Sequence, residues 1–327
     1  NVNKSVNDNS KSETHLLKSD GIVTSQSGVL KFDNWENATA FMTNIVDEHN
    51  EHIENFYSTY EGYSEDELDS IEEALSWEYN QAYINVEQSY DIKTLLTFVD
   101  DKLYKENLTE DELNYWDRYL VEDDFGAILN SDGIVAVGDS IYKFLQNMSV
   151  VATTFDELSL LQAINDDNIE NYLDNSQVEI HGFTPKNSSA CRSNRQVYDH
   201  VWWNPGGGSR TMKGWLVVRN LATGTGGFSI RYVRAKTKTE RYRLGRNRRW
   251  RTNISAATFG TIFRNNRPWN CQGATEACNT SRQRWNSNVN STYKNQTIWQ
   301  LLIFRARAGE VKSIHQAPGR YLEVWLD

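Results

Sequence analysis

Charge is distributed so unevenly along this chain that it limits how the chain can fold. Residues 1–180 carry 38 acidic and 9 basic side chains, a net of −29, whereas residues 181–327 carry 6 acidic and 25 basic ones, a net of +19. Either half alone repels itself, and each is a source of counter-charge for the other. The densest case is RYRLGRNRRWR, residues 241–251, with six arginines in eleven positions. A chain of 327 residues is long enough for two domains. The charge break coincides with a change of composition at VEIHGFTPKNSS (178–189), which reads as a linker.

The acidic half carries helical periodicity. Phe41, Ile45, His49, Ile53, Phe56 and Tyr60 recur three or four apart after Asp33, a candidate cap. Leu68, Ile71, Leu75, Tyr79, Ala82, Val86 and Tyr90 repeat the pattern. Capping boxes at Ser64/Glu67, Thr109/Glu112 and Thr154/Glu157 mark helix starts. AILNSDGIVAVGDSIYKF (127–144) predicts a hairpin turning at Asn130–Gly133, and GIVTSQSGVLKF (21–32) a further strand.

Past the linker come β-rich runs separated by Gly and Asn: WLVVRNL (215–221), FSIRYVRA (228–235), IWQLLIFRARA (298–308) and YLEVWLD (321–327). They predict a sandwich or barrel whose last strand is paired into the sheet. The expected fold class is α+β: an acidic, mainly helical N-terminal domain with a small β-hairpin element, followed by a basic all-β, sandwich-like C-terminal domain. The boundaries are a polar tether over 1–20, the acidic domain over 21–177, the linker over 178–195 and the basic domain over 196–327. The polar opening NVNKSVNDNSKSETH has no apolar signal region, and no run approaches the ~20 apolar residues of a membrane helix.

Strand alternation puts Ile230, Tyr232, Arg234, Lys236 and Lys238 on one face, and Arg231, Val233, Ala235 and Thr237 on the other. Neither face is cleanly apolar, which predicts an exposed hairpin with its tip near Gly245. The candidate binding residues are Arg234, Lys236, Lys238, Arg241, Tyr242, Arg243, Arg246, Arg248, Arg249, Trp250 and Arg251. Arginines laid over Tyr232, Tyr242 and Trp250 gain cation–π contact. Three readings fit such a surface: a solvated or intramolecularly paired sheet face, docking against an acidic protein surface, and binding of an acidic polymer. Within the third, the −29 half and the lack of any nucleic-acid-binding motif argue for an acidic glycan over nucleic acid.

The chain carries no HExxH, GxSxG, Walker A or GxGxxG. Gly206–Gly208 reads as a turn. His49 falls on an apolar stripe and reads as a core histidine rather than a metal ligand with His52. Cys191, Asp199 and His200 sit too close in sequence for an assembled triad. No cofactor, metal site or catalytic residue is expected, and the protein reads as a non-enzyme. Cys271 and Cys278 bracket CQGATEAC and are the disulfide candidates, leaving Cys191 over; three unrelated thiols are the other reading. Nine Asn-x-Ser/Thr sequons are present.

The order VLKF, amphipathic helices, ILNSDGIVAVGDSIYKF and VRAKTKTERYRLGRNRRW resembles secreted or lipoprotein-type surface proteins of unknown function from Bacteroidota. The resemblance covers most of 21–327 and implies export to the cell surface or the extracellular space. It implies no activity, and the acylated N-terminal Cys of lipoproteins has no counterpart at Asn1. The leading expectation is a structural role by self-association, or by docking on another acidic protein, through oppositely charged domains. The alternative is a module that binds acidic glycans.

Overall fold

Turn chemistry fixes the first hairpin. Ser27 and Gly28 both take positive φ, 51° and 73°, as a two-residue turn between right-twisted strands demands. It joins β1 (Val23–Gln26) to β2 (Val29–Phe32). The computed structural model describes residues 23–327 except 65, 69, 72–73, 76–79, 106–107, 110–111, 113–114, 117–122, 146–147, 182–190, 193–194, 205–207, 224–227, 244–245, 266–270 and 298–302. The expected tether, much of the expected linker and Gly245 lie outside the described residues.

Helix α1 (Trp35–Thr59) starts one residue later than the cap expected from sequence. Asn34 Oδ1 accepts from the Asn37 amide at 2.9 Å. Its periodic Phe41, Ile45 and Phe56 are buried. Helices α2 (Gln81–Tyr90) and α3 (Leu95–Lys105) follow. The turn between them is pinned by Glu87, whose carboxylate accepts from the Thr94 amide and from the hydroxyls of Thr94 and Thr97. Two of the three capping boxes form as read. Ser64 and Glu67 exchange bonds, as do Thr109 and Glu112. At Thr154 the hydroxyl makes no cap bond, and a 3-10 turn over Phe155–Glu157 leads into α5 (Leu158–Ala163).

A short α4 (Asp123–Gly126) precedes β3 (Ile134–Val137) and β4 (Ser140–Phe144). That hairpin turns at Gly138 and Asp139, with Gly138 at φ 61°. The Asn130–Gly133 segment expected to be its turn instead leads into β3, where Asn130 Oδ1 accepts from the amides of Asp132 and Ile134. Strands β5 (Ser149–Ala152) and β6 (Val178–His181) complete a sheet ordered β1-β2-β3-β4-β5-β6, in which β2 and β3 run parallel.

The basic half begins with β7 (Cys191–Arg192) and β8 (Arg195–Trp203). Long strands β9 (Ser209–Thr223) and β10 (Phe228–Arg243) follow, then β11 (Arg246–Arg249), β12 (Thr252–Asn265) and β13 (Ala274–Ala277). The chain continues through β14 (Thr280–Asn286), β15 (Asn288–Thr297), β16 (Ile303–Ala317) and β17 (Arg320–Trp325). The second sheet runs β11-β10-β9-β8, with β15 sharing the β11 edge of β10. The third is built on β12 and β16, with β13 and β14 on one edge and β17 and β7 on the other. The two pack face to face: Leu216, Val218 and Val233 of the second meet Ile262, Val311 and Val324 of the third.

The fold class expected from sequence is therefore corrected. The described residues form 17 strands in three sheets, and the chain is mostly β. The β part of the acidic half is not one small hairpin: beside its helices it carries a six-stranded sheet. Its four-residue strands IVAV and SVVA are buried at every position, so they show no period-2 alternation to read. The largest core also crosses the charge break. Phe32, Met42, Val86 and Leu96 share it with Trp215, Val217 and Tyr232 of the second sheet.

Candidate functional site: a basic cleft under the helices

Strand β10 is the key element. It forms the expected hairpin with β11, turning between Arg243 and Arg246, but it is paired along both edges and lies inside the second sheet, so it is not exposed as its composition predicts. Its Val233 and Ala235 enter the sandwich core. Its opposite face, with Tyr232, Arg234, Lys236 and Lys238, turns toward the helical layer. That division explains why neither face reads as apolar: one is capped by charged groups that meet a second layer rather than water.

Between that face, β14–β15 and helices α1–α3 lies a cleft of about 480 Å³. Its floor is Trp215, Arg234, Lys236 and Lys238. His49, Asn50 and Tyr57 of α1, Tyr83 of α2, and Thr97 and Asp100 of α3 form the roof. Arg282, Arg284, Asn288, Asn290 and Thr292 form the third wall. Six lining cations (Arg234, Lys236, Lys238, Arg249, Arg282 and Arg284) face one lining carboxylate, Asp100, among the described residues. Arg234 and Lys236 are only 3% exposed. Cationic groups set this deep are costly to desolvate and interact strongly with any anion that reaches them.

Ion pairs cross from helix to sheet. Arg249 meets Asp100 at 2.7 Å, and Arg284 meets Glu54 at 3.5 Å at the rim. On the same face of β10, next to the floor, buried Glu240 lies between Lys213 and Lys238, at 2.7 and 3.0 Å. Burial pushes its carboxyl up, but the two ammonium groups outweigh that and hold it well below the ordinary carboxylate range. Arg251 lies over the Tyr57 ring, 3.1 Å from its centroid, and burial lowers its pKa from the ordinary arginine value.

Of the sequence candidates, the structure brings Arg234, Lys236, Lys238 and Arg249 to the cleft and Arg251 to its margin. Arg241 and Arg248 face each other across the β10–β11 pair, and Arg241 is buried. Tyr242 is exposed; Trp250 packs edge-on against Trp203 and carries Arg210 over its ring. Arg243 and Arg246 pair through their backbones, and their side chains lie outside the described residues. Sequence reasoning missed Arg282 and Arg284. The alternation in TSRQRWN sets the two on one strand face, but only the fold shows that this face closes the cleft.

The cysteine pairing is corrected as well. Cys191 bonds to Cys271, with Cα atoms 5.5 Å apart, and not Cys271 to Cys278. Cys278 is a buried thiol whose Sγ lies 3.5 Å from the Gly260 carbonyl, and burial raises its pKa to about 11. Strand β7 pairs with β16 at Ala306 and Arg307, which brings Cys191 in from 80 residues away; spacing in sequence cannot show that approach.

No protein-family model matches this chain, and no curated protein does. One solved structure is similar. It is a DUF4848 family protein from Bacteroides thetaiotaomicron, aligned over 93% of this chain and 100% of its own, with 12% identity and a TM-score of 0.22. Its source belongs to the Bacteroidota. At that TM-score the similarity carries nothing about the site. Among the described residues, no helix is long and apolar enough to cross a membrane.

Proposed function

We propose that this protein is an exported binding protein that holds an acidic glycan in the cleft between its helical layer and its basic sheet, without catalysing a reaction on it. The observation that carries this reading is a cleft whose described lining holds six cations, three of them ion-paired within the chain (Lys238 with Glu240, Arg249 with Asp100 and Arg284 with Glu54), in a chain of net charge −10. Around those cations stand Asn50, Asn80, Asn288 and Asn290, amides suited to sugar hydroxyls. Contact between oppositely charged surfaces, which the charge split pointed to, is at Arg249–Asp100 and Arg284–Glu54 internal to one chain. A groove beside the basic strand then favours a ligand over a flat docking face. Nucleic acid fits less well: it carries a charge every ~1.7 Å along the duplex, and one wall here belongs to the −29 half. A glycan spaces its carboxylates more widely. The Cys191–Cys271 disulfide supports export, because such bonds persist in oxidising compartments.

The test is calorimetric titration with uronate and sulfated glycans and their uncharged counterparts at about 50 and 300 mM salt. Expected is binding to an acidic glycan that weakens with salt and falls at least tenfold in Arg282→Ala/Arg284→Ala. Equal binding of charged and uncharged chains, or an unchanged double variant, would contradict the reading.

A further inference from the structure

The outer face of the third sheet is lined with aromatic rings that the core does not use. Trp285, Phe259, Tyr321 and Trp325 are 50%, 38%, 51% and 46% exposed. Strand register places all four on one face: Gln283, Ser255, Gln316 and Tyr321 form one row, and Phe259, Lys312 and Trp325 another. The alternate residues Ile254, Ala256, Val311 and Val324 are buried in the sandwich.

Two of these rings, Tyr321 and Trp325, are held in place. Glu323, between Tyr321 and Trp325 on β17, accepts from the Tyr321 hydroxyl and from Trp325 Nε1 at 3.1 Å. Lys312 meets the same carboxylate at 2.8 Å and lays its ammonium 4.8 Å from the Trp325 ring centroid. The pair cancels its own charge, leaving a neutral face with amides and a hydroxyl in the middle and rings at the margins. Rings fixed before binding lose little freedom on binding, which is how aromatic anchors contribute affinity. By strand spacing Phe259 and Trp325 stand roughly 10 Å apart, and Tyr321 and Trp325 roughly 13 Å. That span suits several linked sugars rather than one.

The two surfaces adjoin at β14: Arg284 and Trp285 point to its opposite faces, and the Trp285 ring meets Tyr57 of the cleft roof edge-on at 6.4 Å. We propose that the outer face of the third sheet is a second binding surface, on which the pyranose rings of the same acidic polysaccharide lie as the chain leaves the cleft past Arg284. The proposal rests on the cleft reading for the identity of the ligand. Its contacts differ: apolar sugar faces against aromatic rings here, carboxylates against cations in the cleft.

The probes are polygalacturonate and digalacturonate, titrated into the full chain, its Trp285→Ala/Tyr321→Ala/Trp325→Ala variant and its Arg282→Ala/Arg284→Ala variant. All three aromatic positions are exposed, and thermal unfolding checks that the variant is folded. Expected is at least a tenfold loss of polygalacturonate affinity in the aromatic variant, with digalacturonate binding unchanged. An aromatic variant that binds the polymer like the wild type overturns the second surface and leaves the cleft reading standing. Loss in the aromatic variant with none in the arginine variant does the reverse. A wild type that binds neither probe overturns both.

Discussion

At the scale of single residues, the basic half depends on polar groups buried in its sandwich. His315 is fully buried, with Nδ1 at 2.8 Å from the Thr237 hydroxyl and Nε2 at 2.7 Å from that of Ser313. Across from it Gly214 has no side chain for a steric reason: a Cβ there would lie 2.5 Å from His315 Cδ2. Gly214→Ala should destabilise the fold by about 1–3 kcal/mol in urea titrations, because the ring is held at both nitrogens and cannot give way freely. Burial also lowers the pKa of His315 to about 3. Between about 6.5 and 3 the unfolded chain binds a proton that the folded chain refuses, so stability present above that window is lost as pH falls through it. Replacing His315 with Asn should flatten the dependence by up to about 1.4 kcal/mol per pH unit, measured as unfolding midpoints across pH 4–7.5. An unchanged slope would show that the ring protonates in place. Glu240, held below its ordinary range, adds acid sensitivity in the same direction at lower pH. None of this was legible beforehand, since a lone His in VKSIHQAP has no neighbour in sequence that reveals Thr237 or Gly214.

At the scale of elements, legibility followed local chemistry. The start of α1 lies within a residue of its expected cap, and two capping boxes close, because their partners are three residues apart. Asn34→Ala should cost about 1 kcal/mol of stability by removing the bond to the Asn37 amide. Strands were harder. The β2–β3 pairing joins residues about a hundred positions apart, and β5 lacks the alternation that flags a half-buried strand. The face of β10 that looked exposed is covered by helices from the other end of the sequence. Disulfide pairing failed for the same reason: a nearby cysteine is not a near one in space. Reducing Cys191–Cys271 should lower stability by about 2–5 kcal/mol, while Cys278 stays unreactive until the chain unfolds. A native protein that reacts at one thiol per chain without unfolding would contradict the buried position of Cys278.

At the scale of the whole molecule, the opposed charges of the two halves meet at an interface that is also apolar. Leu96 and Met42 share a core with Trp215 and Tyr232, and Arg249–Asp100 adds an ion pair beside it. A chain cut at a protease site engineered within 182–190 should therefore run as one species in size exclusion even at about 500 mM salt, where ion pairs alone are screened. Separation at high salt would show that charge is what holds the halves together. The charge split was plain in the sequence; that it would enclose a cleft was not, because the wall bearing Arg282 and Arg284 is set by the corner between β14 and β15. The most direct test of that cleft is amide hydrogen exchange with and without polygalacturonate. Expected is slowed exchange in α1 around His49–Tyr57 and in β14–β15 over residues 280–292. Protection confined to other segments, or none while the polymer is bound, would contradict the site.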